Sequence, residues 1–154
     1  MTRRTLRMTK RTAEWLLDGQ RALRERFNDV AGAMRRNDKT ALDVALDDFE
    51  NHLRRWTEAE EQALIPAVTR AQIPGRDPRR ELRLEYVQIR ELTNFIARGR
   101  ANKAQPSELI GYLENLDRRL AAHERENRSV YYPVAAGSLT EDEWAILEAA
   151  RPPL

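Results

Sequence analysis

The amino-acid sequence carries one pattern twice, at residues 42–66 and again 67 positions later at residues 109–133. The first copy is Leu42, Leu46, Phe49, Leu53, Trp56, Glu60, Glu61, Leu64, Ile65 and Pro66. The second copy is Leu109, Leu113, Leu116, Leu120, His123, Asn127, Arg128, Tyr131, Tyr132 and Pro133. The apolar residues recur every three or four positions, which is the period of a helix face buried in a core. The repeat therefore constrains the chain to bury two equivalent amphipathic helices.

The remaining helical periodicity extends this pair to four long helices. They are predicted at about residues 12–36, 39–70, 79–98 and 106–132, with loops at 71–78 and 99–105. Pro66 is expected to kink or end the second helix. A capping box at Thr140 and Glu143 predicts a short fifth helix near the C-terminus. Long helices with short connections predict an all-α fold, an antiparallel four-helix bundle with the fifth helix across one end.

The apolar stripes of the first and third helices can also be paired, either because the helices are copies or because any bundle core repeats. An offset of 66 pairs Leu16 with Leu82, Gln20 with Tyr86, and Leu23 with Ile89, whereas an offset of 67 pairs Gly19 with Tyr86. We prefer the first offset because it aligns more of the apolar stripe. The third stripe continues to Phe95 or Ile96.

Composition limits the class of protein. With 154 residues, one domain is expected, formed by a basic flexible arm at 1–11, the bundle at 12–148 and a tail at 149–154. The absence of cysteine excludes disulfides, thiolate nucleophiles and cysteine-ligated metals. No apolar run approaches the roughly 18 residues of a membrane span. We expect a cytoplasmic protein without a membrane segment.

The charge does not indicate a nucleic-acid protein. The formal net charge is +2 and the sequence has 27 basic residues, of which only Lys10, Lys39 and Lys103 are lysines. An arginine excess of this kind is typical of a GC-rich bacterial genome. No basic stripe with interleaved aromatic residues is present, so nucleic-acid binding is not expected.

The polar residues of the repeat carry a family resemblance. The motifs are Phe49-x-x-His52-Leu53-x-x-Trp56-x-x-x-Glu60-Glu61-x-x-Leu64-Ile65-Pro66, then Glu85-Tyr86-x-x-Ile89-Arg90, then Leu120-x-x-His123-x-x-x-Asn127-Arg128-x-x-Tyr131-Tyr132-Pro133. They resemble the hemerythrin-like (HHE cation-binding) domain over roughly residues 12–147. The resemblance implies a four-helix bundle with a non-haem di-iron centre that binds or senses oxygen, or handles peroxide or nitric oxide.

Most of the ligands that the resemblance implies are replaced. The family places one histidine on the first helix, His-x-x-x-Glu on the second, a histidine on the third and His-x-x-x-Glu on the fourth. The corresponding residues here are Gln20 or Gly19, then Trp56 and Glu60, then Tyr86, then His123 and Asn127. Only Glu60 and His123 keep the family's residue, and one imidazole with one carboxylate does not hold two iron ions. We therefore expect no metal and no cofactor.

The candidate site is the set of residues at these positions. They are Gln20, Trp56, Glu60, Tyr86, His123 and Asn127. The polar members are expected to converge at mid-bundle, as a hydrogen-bonded network or as the lining of a small ligand cavity. If a metal or haem iron binds, His123, Glu60 and His52 are its candidate ligands, although His52 is better explained as a histidine at the edge of the core. Tyr131 and Tyr132 are expected to close the end of the bundle.

Three functions follow from this reasoning. The leading hypothesis is a degenerate hemerythrin-like protein that has lost its di-iron site and acts as a non-enzymatic binding or regulatory module. Its partner would be a small ligand, another protein or a second copy of the chain. The alternative is a repurposed iron or haem protein using His123 and Glu60. The third hypothesis is a cofactor-free enzyme in which these two residues form an acid/base couple.

Overall fold

The computed structural model describes residues 11–153, and this part of the chain is helical without any strand. The prediction of an all-α fold is therefore confirmed for these residues. The α-helices are α1 (Ala13–Arg35), α2 (Lys39–Ala59), α3 (Ile65–Arg70), α4 (Pro78–Ala101), α5 (Ile110–Glu126), α6 (Tyr132–Ala136) and α7 (Glu141–Ala150). A 3₁₀ turn at Pro106–Leu109 precedes α5. None of the described helices has the length and apolarity required to cross a membrane.

Side-chain caps begin the helices where the sequence predicts them. The hydroxyl of Thr12 accepts the N–H of Trp15, and the carboxylate of Asp77 accepts the N–H of Arg80. The capping box of Thr140 and Glu143 is present at the start of α7. Each cap satisfies an N–H group that the first turn of a helix leaves without a partner.

Several predicted boundaries need correction. The third long helix runs from Pro78 to Ala101, so the loop that follows it is shorter than predicted. The fourth continues beyond Tyr132 to Ala136. The second helical stretch reaches Arg70 as predicted, with a π turn just before Pro66.

Two π-helical turns occur at equivalent positions of the repeat. Glu60–Leu64 joins α2 to α3, and Asn127–Tyr131 joins α5 to α6. In the first turn the N–H of Ile65 bonds to the carbonyl of Glu60, and in the second the N–H of Tyr132 bonds to that of Asn127. A proline follows each turn and has no N–H to donate. The change from α to π register thus falls where the hydrogen-bond ladder is already interrupted.

The long helices bury the predicted stripes against one another. Helix α1 packs on α2, α4 packs on α5, and further contacts join α2 to α4 and α1 to α5. The offset of 66 agrees with the burial pattern, since Leu16, Gln20 and Leu23 are buried and so are their partners, Leu82, Tyr86 and Ile89. In the third stripe Ile96 is buried, whereas Phe95 is exposed. Helix α7 packs against α2 and the first π turn.

Arg11 and residues 149–153 contact the helices. Residues 1–10 of the predicted arm lie outside the described residues. Arg11 forms ion pairs with Glu141 and Glu148 of α7, each at 2.9 Å. The predicted tail begins inside α7, which continues to Ala150, and Pro152 after it is buried. The segment from 149 to 153 is thus packed on the helices.

The buried ring of Phe49 provides a test of the core. Phe49 is fully buried on α2 and its ring meets that of Phe27 edge to face at 5.8 Å. We expect Phe49→Ala to lower the free energy of unfolding by about 3–5 kcal/mol, because it removes a large ring and leaves a cavity. Urea unfolding measures this loss.

Val44 provides the matched control on the same helix. Its side chain is 68% exposed, so Val44→Ala should change the free energy of unfolding by less than about 0.5 kcal/mol. Equal effects of the two substitutions would contradict the packing of α2.

Candidate functional site

A buried carboxylate lies at the centre of the candidate site. Glu60 begins the first π turn and its side chain is 1% exposed. The hydroxyl of Tyr132 donates to one carboxylate oxygen at 2.7 Å, and that of Tyr86 donates to the other at 3.1 Å. Both tyrosines are fully buried. Each oxygen of Glu60 therefore receives a hydrogen bond, which offsets part of the cost of removing a carboxylate from water.

The imidazole of His123 lies between two carboxylates. Its Nδ1 is 3.3 Å from both side-chain oxygens of Glu85, and its Nε2 is 3.8 Å from Oε1 of Glu60. The Nδ2 atom of Asn127 is 3.1 Å from the same Nε2. The ring of Tyr86 meets the imidazole edge to face at 5.5 Å. These contacts orient the ring with Nδ1 toward Glu85 and Nε2 toward the interior.

The side chains of Asn127 and Gln20 complete the cluster. Nδ2 of Asn127 donates to Oε1 of Gln20 at 2.9 Å, and Nε2 of Gln20 donates to the carbonyl of Glu124 at 3.4 Å. The Oδ1 atom of Asn127 is buried and has no hydrogen-bond partner among the described residues. The same Nδ2 faces both Oε1 of Gln20 and Nε2 of His123, so turning the amide by 180° would break the hydrogen bond to Gln20.

The hydrogen bonds of the cluster follow the repeat. Glu60 of the first half bonds to Tyr86 of the second, and Asn127 of the second half bonds to Gln20 of the first. Glu60 and Asn127 are equivalent in the repeat, as are Gln20 and Tyr86. Two corresponding contacts therefore cross between the halves of the chain.

Trp56 and Gly19 form a second contact at the site. Trp56 is 2% exposed and occupies the repeat position that His123 has in the other half. A Cβ atom on Gly19 would lie 3.1 Å from Cζ2 and Cη2 of the indole, so the missing side chain makes room for the ring. Gln20 is thus the first-helix residue that joins the polar cluster, and Gly19 packs on Trp56.

His52 is not brought to this cluster. Its Nε2 lies 3.4 Å from a carboxylate oxygen of Asp48, one turn earlier on α2. Burial lowers its pKa, and the nearby Arg26 lowers the pKa further. The structure therefore does not place His52 beside His123 and Glu60. Glu61 is partly exposed and lies 3.5 Å from Arg90.

Sequence reasoning missed two members of the site. The carboxylate of Glu85 lies 3.3 Å from Nδ1 of His123. The sequence motif that contains Glu85 had suggested no role for this residue. Tyr132 was expected to close the bundle end, but its hydroxyl bonds to Glu60 in the interior. One sequence signal for this role was available. Tyr132 is equivalent to Ile65 in the repeat, so a polar hydroxyl stands at a position that is apolar in the other copy. Tyr131 bonds instead to Glu81 at 2.7 Å.

A small cavity adjoins the cluster. It is lined by Gln20, Leu23, Arg24, Leu53, Trp56, Thr57, Glu60, Ile89, Leu120, His123, Glu124 and Tyr132. The cavity has a volume of about 20 Å³, which is enough for roughly one water molecule. A groove of about 500 Å³ lies between α2 and α4, but none of the predicted site residues line it.

A proton on His123 offsets part of the negative charge of Glu60 and Glu85. Burial alone lowers the pKa of this imidazole, but the interactions with the carboxylates of Glu60 and Glu85 outweigh it and raise the pKa to about 9. Burial and the charge of Glu60 raise the pKa of Tyr86 and of Tyr132 well above the ordinary value. At neutral pH the tyrosines are therefore neutral donors and His123 is a cation.

The residues present do not fit a di-iron centre. The indole of Trp56 and the phenol of Tyr86 occupy positions where the resemblance implies imidazoles, and the amide of Asn127 occupies one where it implies a carboxylate. The oxygens of Glu60 are both engaged by tyrosine hydroxyls. Within residues 11–153, no group of three or more histidine, aspartate or glutamate side chains is arranged to hold a metal ion.

Removing one tyrosine hydroxyl tests the importance of the buried carboxylate. We expect Tyr132→Phe to lower the free energy of unfolding by about 1–3 kcal/mol, because Glu60 loses a donor in a site without bulk water. The adjacent Tyr131→Phe is the control. Its hydroxyl bonds to the half-buried Glu81, where water can replace it, so a smaller loss is expected. Equal losses in urea unfolding would contradict this view of the cluster.

The protonation of His123 predicts a pH dependence of stability. Its pKa in the folded chain, about 9, is above the ordinary value of 6.5, so the folded state binds the proton more tightly. The stabilisation is complete below the ordinary value and is lost as the pH rises to 9. We expect the free energy of unfolding to fall by roughly 1 kcal/mol per pH unit across this window. Urea unfolding of the wild type and of His123→Gln tests this, and equal slopes would contradict it.

Comparisons with known proteins found no relative of this chain. No family model matches the chain, and neither a curated protein nor a solved structure matches it. The resemblance to the hemerythrin-like domain therefore depends on the motifs of the sequence.

Proposed function

We propose that the chain is an antiparallel four-helix bundle of the hemerythrin type. Three observations support this architecture: the contacts among the four long helices, the π turns at equivalent positions of the repeat, and the crossed hydrogen bonds between its halves. Such bundles build their sites from side chains on facing helices at mid-length, which is the arrangement of this cluster.

Within this bundle, we propose, a protonated hydrogen-bonded cluster takes the place of the di-iron centre. The observation that carries the proposal is the environment of Glu60. Its two oxygens accept hydrogen bonds from tyrosine hydroxyls, and its charge faces the imidazolium of His123. The carboxylate that would bridge two metal ions is thus already satisfied by protein groups.

The function that follows is a non-enzymatic binding or regulatory module. The cavity beside His123 takes about one water molecule, which is too small for an organic substrate to reach the Glu60–His123 pair. An acid/base enzyme needs its catalytic groups within hydrogen-bond reach of the substrate. The cluster is better suited to specifying the packing of a scaffold whose outer surface meets a partner.

Metal analysis tests the proposal directly. Untagged protein purified from iron-supplemented cells should contain far less than one iron ion per chain. Restoring the family's ligands with Gln20→His, Trp56→His, Tyr86→His and Asn127→Glu should produce a variant that takes up iron, because the helices would present the complete ligand set to one point.

The restored variant needs a control for adventitious binding. Adding Glu60→Gln to it removes a carboxylate ligand and should reduce iron uptake. Near-stoichiometric iron in the wild type would contradict loss of the site. A folded restored variant that binds no iron would contradict the hemerythrin-type geometry.

One observation favours a second candidate, a mononuclear metal protein. Glu85 holds Nδ1 of His123 and leaves Nε2 directed at Glu60, which is how carboxylates orient histidine ligands in metal sites. A haem fits less well, because the cavity is far smaller than a porphyrin. Metal that remains bound to the wild type but is lost from His123→Ala would favour this candidate over the first.

A further inference from the structure

The last two residues of α7 and the three residues after it lie across α1 and α2. We call these residues, 149–153, the latch. Beyond the N–H of Arg151, which bonds to the carbonyl of Leu147, the chain leaves helical geometry, and Arg151 is extended with φ −61° and ψ 128°. The latch therefore depends on side-chain contacts to stay in place.

Three arginines and one proline hold the latch. Arg55 donates to the carbonyl of Ala149 at 3.2 Å, and Arg26 donates to the carbonyl of Pro153 at 2.8 Å. The guanidinium of Arg151 lies 4.6 Å from the centre of the Trp15 ring. Pro152 is buried. Exposed contacts of this kind each contribute little stability, so the latch can open at a much lower free energy than the helices.

The latch reaches the candidate site through a glycine. The Cβ position of Gly19 is 3.1 Å from the edge of the Trp56 indole and 3.4 Å from Cγ of Arg151. Trp56 also lines the cavity that is lined by Glu60 and His123. Arg151, Gly19 and Trp56 thus form a continuous path from the latch to the cavity.

The missing side chain at Gly19 decides what happens when the latch leaves. The three atoms nearest the empty Cβ position are two atoms of the indole edge and Cγ of Arg151. Arg151 is thus the neighbouring side chain whose departure would leave open space beside this edge. We propose that the latch opens as a unit while α1 to α6 and the rest of α7 stay folded, and that opening frees Trp56 to move and admits water and small solutes to the cavity beside His123.

The test uses the full chain labelled with 5-fluorotryptophan and observed by ¹⁹F NMR. A soluble neutral gadolinium chelate broadens the resonance of any indole that it approaches. Trp15, Trp56 and Trp144 are assigned by single replacement with phenylalanine. We expect Arg151→Ala to increase the broadening of Trp56 by about two- to five-fold, the factor by which loss of an exposed cation–π contact raises an open population. Arg26→Gln should act in the same direction.

Arg70→Ala is the matched control. Arg70 forms an ion pair with Glu143 at the start of α7 at 2.6 Å, so its loss disturbs the same helix without touching the latch. It should leave Trp56 as protected as in the wild type. The proposal is overturned if Arg151→Ala exposes Trp15 but not Trp56, if it changes neither ring, or if Arg70→Ala exposes Trp56 equally.

Discussion

The buried charge of Glu60 is the constraint on which the arrangement of the helices depends. A carboxylate away from water requires hydrogen-bond donors and positive charge. Its donors are Tyr86 on α4 and Tyr132 on α6, and its facing cation is His123 on α5. An apolar stripe tolerates sliding of one helix along another, because any apolar surface can cover it. A carboxylate whose partners lie on three other helices does not tolerate such sliding, because its hydrogen bonds would break. Glu60 therefore specifies one relative position of these helices.

The two copies of the repeat place residues of different chemistry at equivalent positions of the cluster. At equivalent positions one half has the charged Glu60 with a phenol, and the other has the neutral Asn127 with the amide of Gln20. Trp56 and His123 differ in the same way, one filling space and the other holding a proton. The apolar positions of the two halves match in type, whereas the polar positions differ, so the two halves share their packing pattern and not the chemistry of their polar residues.

The sequence was sufficient to predict features with local causes. The caps at Thr12, Asp77 and Thr140 follow from the chemistry of the first helical turn. The buried faces follow from the helical periodicity of the apolar residues. The members of the polar cluster were expected from the positions that the family resemblance implies. Contacts that depend on distant parts of the chain could not be predicted. The partnership of Glu85 with His123 joins two helices, and the space that Gly19 leaves for Trp56 is visible only once α1 and α2 are packed.

The π turns set the rotation between each long helix and the segment that follows it. Each turn contains one residue more than an α-helix would need to cover the same length. Deleting that residue would restore the regular helix and rotate the preceding segment by about 100° relative to Pro66 or Pro133. Glu60 or Asn127 would then leave the interior, and the apolar stripe of the same helix would leave it too. The extra residue is therefore what allows the long helix, its polar residue and the segment after the proline to face the core together.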